Sequence, residues 1–182
     1  MDRTVDWSAV QARCRGTRID TVPRTAALPA PLDRVHRYWA DKADGRAMPS
    51  RADIDPVEIP RLLPHLFLVD VGGDPLRGRF RLVGGEFAAL ADGNLTGRTF
   101  AEVLSGCSLS AVALAHWIVA EHARPLAGRC RLVFAERTPS VDLLLLPLGG
   151  GPGRVEMVLG AVVRASWSAD PADPPLEAAL LA

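Results

Sequence analysis

Lysine is almost missing from this chain: Lys42 stands alone among 21 cationic residues, and the rest are arginine. Acidic residues also number 21, so the formal charge is zero. No global field therefore favours nucleic acid or an anionic membrane surface. Cysteine is scarce, and Cys14, Cys107 and Cys130 match no zinc, haem-attachment or disulfide spacing. That pattern suits reduced thiols in a cytosolic protein. The opening segment MDRTVDWSAVQARCRG has no apolar h-region, which excludes a signal peptide. No apolar run is long enough to span a bilayer. These absences lead us to expect a soluble cytoplasmic protein. The bias towards Arg and Ala fits a GC-rich bacterial genome and says little about function.

With 48% apolar and 23% charged residues in a chain of 182, the composition is that of one ordinary globular domain with extensions. Residues 1–31 read as an N-terminal extension: a weakly amphipathic helix over 1–16, then a proline-bearing linker. Leu32 to Ala43 is the first convincing helix. Leu32, Val35, Tyr38 and Trp39 form its apolar stripe, Asp33–Arg37 is an i,i+4 pair, and Gly45 is placed to end it. Tyr38 and Trp39 are read as anchors that dock this helix on a sheet.

Met48 to Val71 turns the chain from that helix into the sheet. Asp55-Pro56-Val57-Glu58 has the form of a helix start, with an Asp cap and Pro at the first helical position. Pro60 and Pro64 then limit anything helical to about a turn. Leu66 to Val71 is the first strand, Gly72 to Pro75 a turn, and Arg77 to Val83 a second strand with alternating arginines. A helical excursion follows: Glu86–Ala91, a capping box at Thr99–Glu102, and a longer buried helix from Ser108 to Ala123. Arg129–Phe134, Val141–Leu146 and Val155–Val163 are the last three strands. Residues 166–182, rich in Asp and Pro, read as a loose tail ending in a turn of helix.

Strands one, four and five are apolar on both faces, whereas two and three carry arginines on one face. Near-continuous apolar runs suit covered strands, and charge suits exposed edges. The expected class is therefore α+β, a five-stranded antiparallel sheet in the order 2-1-5-4-3 with strands two and three at its edges.

The residues Tyr38-Trp39, Met48-Pro49-Ser50-Arg51, Asp53-Ile54-Asp55-Pro56, Leu63-Pro64, Arg79 to Gly84 and Leu95-Thr96-Gly97-Arg98 resemble the signature of a family of proteobacterial, nearly single-domain PAS proteins. The resemblance covers roughly residues 32–165, taken as the PAS domain. Gly85 departs from it, because such proteins more often place a small hydroxyl residue there. The resemblance implies the PAS fold, whose inner sheet face and excursion helices enclose a small cavity. Phe80, Leu82, Leu132 and Phe134 should face that cavity by alternation, with Phe87, Phe100, His116 and Trp117 from the helices.

No catalytic motif emerges. Gly84-Gly85-Glu86-Phe87 imitates the diguanylate cyclase signature but lies between a strand and a helical turn, not on a metal-holding hairpin. His116 and His122 sit six apart and leave opposite helix faces, and neither His36 nor His65 has metal spacing. Cys107 lacks the helix motif that PAS proteins use for flavin adducts. Asp53, Asp55 and Glu58 read as caps, and Arg77, Arg79, Arg81, Arg129 and Arg131 as solvated edges. The expectation is a non-enzymatic sensory or interaction module without metal or cofactor, homodimeric and acting in trans on a partner protein. A small apolar ligand is admitted, as is a haem- or flavin-bearing sensor as the alternative, with a small cavity enzyme a more distant one.

Overall fold

A computed structural model describes residues 18–24, 27–71, 77–91, 93–135, 137–151, 153–165 and 176–181. The helix expected over 1–16 and the turn at Gly72–Pro75 lie outside the described residues. The elements in order are β1 (Arg18–Arg24), α1 (Ala30–Ala43), β2 (Leu66–Asp70), β3 (Arg79–Val83), α2 (Gly85–Ala91), α3 (Phe100–Val103), α4 (Gly106–His122), β4 (Leu126–Arg131), β5 (Ser140–Gly151), β6 (Arg154–Arg164) and β7 (Leu176–Leu181).

The sheet runs β1-β7-β4-β5-β6-β2-β3. Its β3-β2-β6-β5-β4 portion is antiparallel throughout and is the expected 2-1-5-4-3 order. Two strands were not foreseen. β7 pairs antiparallel with β4, and β1 pairs parallel with β7. The third expected strand, β4, is thus covered and not an edge, and the sheet draws on residues outside 32–165. Leu176-Glu177-Ala178-Ala179-Leu180-Leu181 consists of good helix formers, which is why a helical turn was expected there. Pairing with β4 overrides that weak preference, and Ala178 to Leu181 are buried.

β5 and β6 are apolar on both faces because both are covered. Pleating divides them: Leu143 and Leu145 pair with Val162 and Gly160 on the inner face, while Leu144 and Leu146 pair with Ala161 and Leu159 on the outer face. α4 packs on the inner side. α1 lies on the outer side through buried Leu32, Val35, Trp39 and Ala43. Burial of each large side chain contributes about 1.5–3 kcal/mol. Trp39 adds a directional bond, its indole N–H donating to Pro147 O at 2.8 Å. α1 ends at left-handed Asp44, followed by Gly45 at φ 76°, where a side chain would be strained.

Between α1 and β2 four prolines, Pro49, Pro56, Pro60 and Pro64, fragment the chain into single turns, Arg51–Asp53, Pro56–Glu58 and Leu63–His65. Asp55 caps the second, accepting from Val57 N at 2.9 Å. Asp53 accepts from Ser50 N and Oγ at 2.7 and 2.9 Å, a capping box that the sequence reading took as a simple cap. Glu58 does more than cap. It accepts from the only tyrosine, Tyr38, at 2.8 Å and from the only lysine, Lys42, at 2.7 Å. Tyr38 Oη also receives Asp55 N at 2.9 Å. Tyr38 therefore holds α1 to the turns, while Trp39 holds it to the sheet.

Bonding to Lys42 and Tyr38 holds the Glu58 carboxyl below its ordinary range. A carboxylate with a lowered folded pKa stabilises the fold above its unfolded pKa, and that contribution fades as pH falls through the folded value. Glu58→Gln should lower the melting temperature at neutral pH, modestly because the site is exposed. The gap from wild type should narrow in acid, which thermal denaturation followed against pH will measure.

Candidate functional site

The chain has five phenylalanines, and all of them meet on the inner side of the sheet. Phe67 comes from β2, Phe80 from β3, Phe87 from α2, Phe100 from α3 and Phe134 from the segment after β4. Ring centroids lie 6.0 Å apart for Phe67–Phe80, 4.9 Å for Phe67–Phe87, 5.4 Å for Phe80–Phe100 and 6.4 Å for Phe87–Phe134. Several pairs are tilted or edge-to-face, the arrangement that aromatic quadrupoles favour. Two glycines make room for the rings. A Cβ on Gly160 would stand 1.9 Å from the Phe67 ring, and one on Gly78 would stand 2.4 Å from Phe100.

His116 of α4 is enclosed among them, 1% exposed, with its ring 4.7 Å from Phe100 and 6.3 Å from Phe67. Its Nδ1 is 2.8 Å from Val112 O. A carbonyl can only accept, so Nδ1 carries the hydrogen and Nε2 bears the lone pair. Nε2 is buried and has no hydrogen-bond partner among the described residues. Burial pushes the imidazole down to about 4, despite the backbone bond that opposes it. The ring is therefore neutral at physiological pH.

The space left among Phe67, Phe80, Phe87, Phe100, Leu132 and His116 is about 10 Å³, the lower limit for a single water. Pockets that hold drug-sized or cofactor-sized groups measure about 300–1,000 Å³. The lining is apolar apart from His116, whereas a flavin ring needs amide-like partners along its pyrimidine edge. The chain has one asparagine and one glutamine. Asn94 accepts from Thr96 N at 2.9 Å in an exposed turn, away from the rings, and Gln11 lies outside the described residues. Flavin does not fit this interior. For haem, a neutral imidazole with Nδ1–H tied to a carbonyl is the right donor, but there is no room for the macrocycle.

Of the residues expected to line the cavity, Phe80, Phe87, Phe100, His116 and Leu132 do so. Phe134 is buried and meets Phe87 at the rim of the cluster. Trp117 is half-buried against the core and is not part of the lining. Leu82 is on the other face, 40% exposed. Its partner is Leu68, whereas Phe80 pairs with Val69, so a bulge at Arg81 breaks the alternation. Phe67 also lines the cavity, although β2 is apolar on both faces and alternation does not orient it. Gly160 was the available signal, since a glycine inside a strand marks close approach of another group.

The remaining motifs resolve structurally. Gly84 N donates to Leu66 O at 2.7 Å, and a Cβ there would meet Leu63 O at 2.2 Å. The GGEF-like run is thus a tight strand-to-helix junction. Gly85 opens α2 with free space beside it. His122 is exposed, on the opposite side from buried His116. Among the described residues no cluster of His, Cys, Asp and Glu could hold a metal ion. Cys130 is buried, which raises its thiol to about 12 and leaves it unreactive. Arg81 pairs with Asp70 at 2.7 Å across β2 and β3, and Arg129 with Asp142 at 3.4 Å across β4 and β5.

The lowered His116 pKa has a definite sign. Between its ordinary 6.5 and about 4 the unfolded chain binds the proton and the folded chain does not, so stability falls as pH falls through that window. The loss should reach roughly 3 kcal/mol. His36, half-buried and also lowered, adds to the same slope. Urea denaturation at several pH values should show the slope in wild type and a flatter one in His116→Leu. An unchanged slope in that variant would place the proton elsewhere.

A sequence profile described as PAS domain matches residues 28–163. Among solved structures, the LOV protein of Rhodobacter sphaeroides is 19% identical, with 59% of this chain and 63% of that one covered and a TM-score of 0.47. The PAS domain of Bordetella pertussis BvgS is 16% identical over 62% and 88%, with a TM-score of 0.38. The PAS domain of an HTR-like protein from Haloarcula marismortui is 17% identical over 60% and 90%, with a TM-score of 0.39. The chain thus spans less than two-thirds of the LOV protein's length, and these likenesses concern the course of the chain alone. No curated protein matches significantly. No described helix is long and apolar enough to cross a membrane. The profile covers most of the chain, and the sheet order and enclosed inner face agree with it: the chain belongs to the PAS domain family.

Proposed function

We propose that this PAS domain is a non-enzymatic sensory and interaction module of a bacterial cytoplasm, homodimeric and acting in trans on a partner protein. The observation that carries the reading is the content of its interior. Among the described residues the buried polar side chains are Ser108 and His116 alone. Ser108 Oγ is engaged by Val133 N at 3.1 Å, and His116 is the one titratable residue among those that line the cavity. Acid–base or nucleophilic chemistry needs a pair of convergent groups, and the enclosed volume has one.

The outer side offers a contact surface. Among the described residues the exposed large apolar side chains are Val57 at 82% and Leu82 at 40%. Leu82 lines a shallow groove with Ile54, Pro56, Ile59, Leu63 and Leu148, and Val57 follows Pro56 at its margin. A knob and a groove in one patch are self-complementary about a two-fold axis. The cofactor-bearing alternative has the donor chemistry of His116 in its favour and the closed interior against it.

Sedimentation velocity over a concentration series should show wild-type dimers. Val57→Asp and Leu82→Arg should sediment as monomers with little change in melting temperature, because both side chains are exposed. A wild-type protein that stays monomeric at the highest concentration contradicts the homodimer.

A further inference from the structure

We infer that the edge of β4 is a strand-acceptor surface for an extended segment of a partner protein, and that β7 is the chain's own occupant of that edge, displaced when the partner strand binds. The inference rests on the proposed interaction role and names a surface through which it is exercised. β7 lies outside the family match, which ends at residue 163, yet it completes the sheet beside β4. Without it, the five-strand domain would present the unpaired N–H and C=O groups of β4, a ready template for another strand. A partner that adds a strand to such an edge gains affinity from main-chain bonds and specificity from alternate side chains.

Three observations mark β7 as an exchangeable occupant. Its sequence conflicts with its structure: leucine, glutamate and alanine favour helix, and alanine and glutamate are poor strand residues. Such a conflict narrows the gap between the docked segment and its alternatives. Its grip is short. Leu176–Leu180 lie opposite Cys130–Leu126, whereas β5 and β6 pair along Val141–Gly151 and Arg154–Arg164. A latch adds to it, Leu181 N donating to Pro125 O at 2.8 Å and the Arg124 guanidinium to Leu181 O at 2.9 Å. On its far edge stands β1, which bears Pro23 and whose register breaks between Asp20 and Arg24. Its packing is one-sided. Leu180 is buried in the row of Leu126 and Leu145, but on the outer side a groove of about 420 Å³ lies between Ala127 and Ala179 and the start of α1 at Leu28 and Leu32. A short strand packed on one side opens at lower free energy than the centre of the sheet. The register also sets the partner's chemistry: small residues at the places of Ala178 and Ala179, opposite Gly128 and Ala127, and leucine at that of Leu180, opposite Leu126.

The test uses the whole chain and a fluorescein-labelled peptide of residues 175–182, followed by fluorescence anisotropy. Arg124→Ala removes part of the latch and should bind the peptide roughly tenfold more tightly than wild type, because binding must first displace β7. Leu176→Cys faces Cys130 across the antiparallel pair, at a Cα spacing that a disulfide bridges. Its oxidised form, with that bond mapped by mass spectrometry, should not bind, and reduction should restore binding. In native-state hydrogen exchange the β7 amides of wild type should open at lower free energy than those of β5. No peptide binding by either wild type or Arg124→Ala, equal binding by the oxidised and reduced forms of Leu176→Cys, or β7 protection equal to that of β5 would overturn the inference. Its failure alongside sedimenting dimers removes this surface and leaves the dimeric module. Peptide exchange in a strictly monomeric protein supports the surface and removes the dimer.

Discussion

The buried imidazole of His116, neutral and half-satisfied inside a shell of phenylalanine, is the constraint around which the domain is arranged. β2 and β3 supply two rings from the sheet, and α2 and α3 supply two more from above it. Gly160 and Gly78 are bare so that Phe67 and Phe100 can lie against the backbone. Five phenylalanines in 182 residues is few, and a chain that gathers all of them at one point has concentrated its largest packing contributions there. Loss of any of these buried rings costs about 3–5 kcal/mol. The same density leaves almost no free volume, which is why the interior is unsuited to flavin or haem although the fold encloses a cavity.

The outer face follows a different logic. α1 is tied to the sheet by Trp39 and to the proline-broken turns by Tyr38, Lys42 and Glu58. These polar bonds are exposed and individually weak, but they fix the course of Met48 to Val71. That course in turn sets where β2 enters the sheet and which of its residues face inward. The single Tyr and single Lys of the chain are both spent on this junction.

Much of this was legible in the sequence. Strand polarity and connectivity gave the order of five strands, although the arginines of β4 mark an exposed face and not the sheet edge expected there. The capping box at Thr99–Glu102 is present, and the Glu102 carboxylate accepts from Thr99 N at 2.6 Å and from Thr99 Oγ1 at 2.7 Å. β7 was not legible, since Leu-Glu-Ala-Ala-Leu-Leu has helix propensity and becomes a strand through its pairing with β4. The side of Leu82 was hidden by a bulge, which local alternation cannot register. Phe67 was hidden by burial on both faces of β2. The interior histidine was visible as a residue among apolar neighbours, but its free nitrogen is a property of the packed structure alone.

The interior depends on the protonation state of one ring, and ¹⁵N spectroscopy of the histidine side chains at neutral pH reads it directly. The expected result is a neutral His116 with the proton on Nδ1 and an Nε2 resonance typical of a lone pair without a hydrogen bond. A charged ring, or a proton on Nε2, would contradict it.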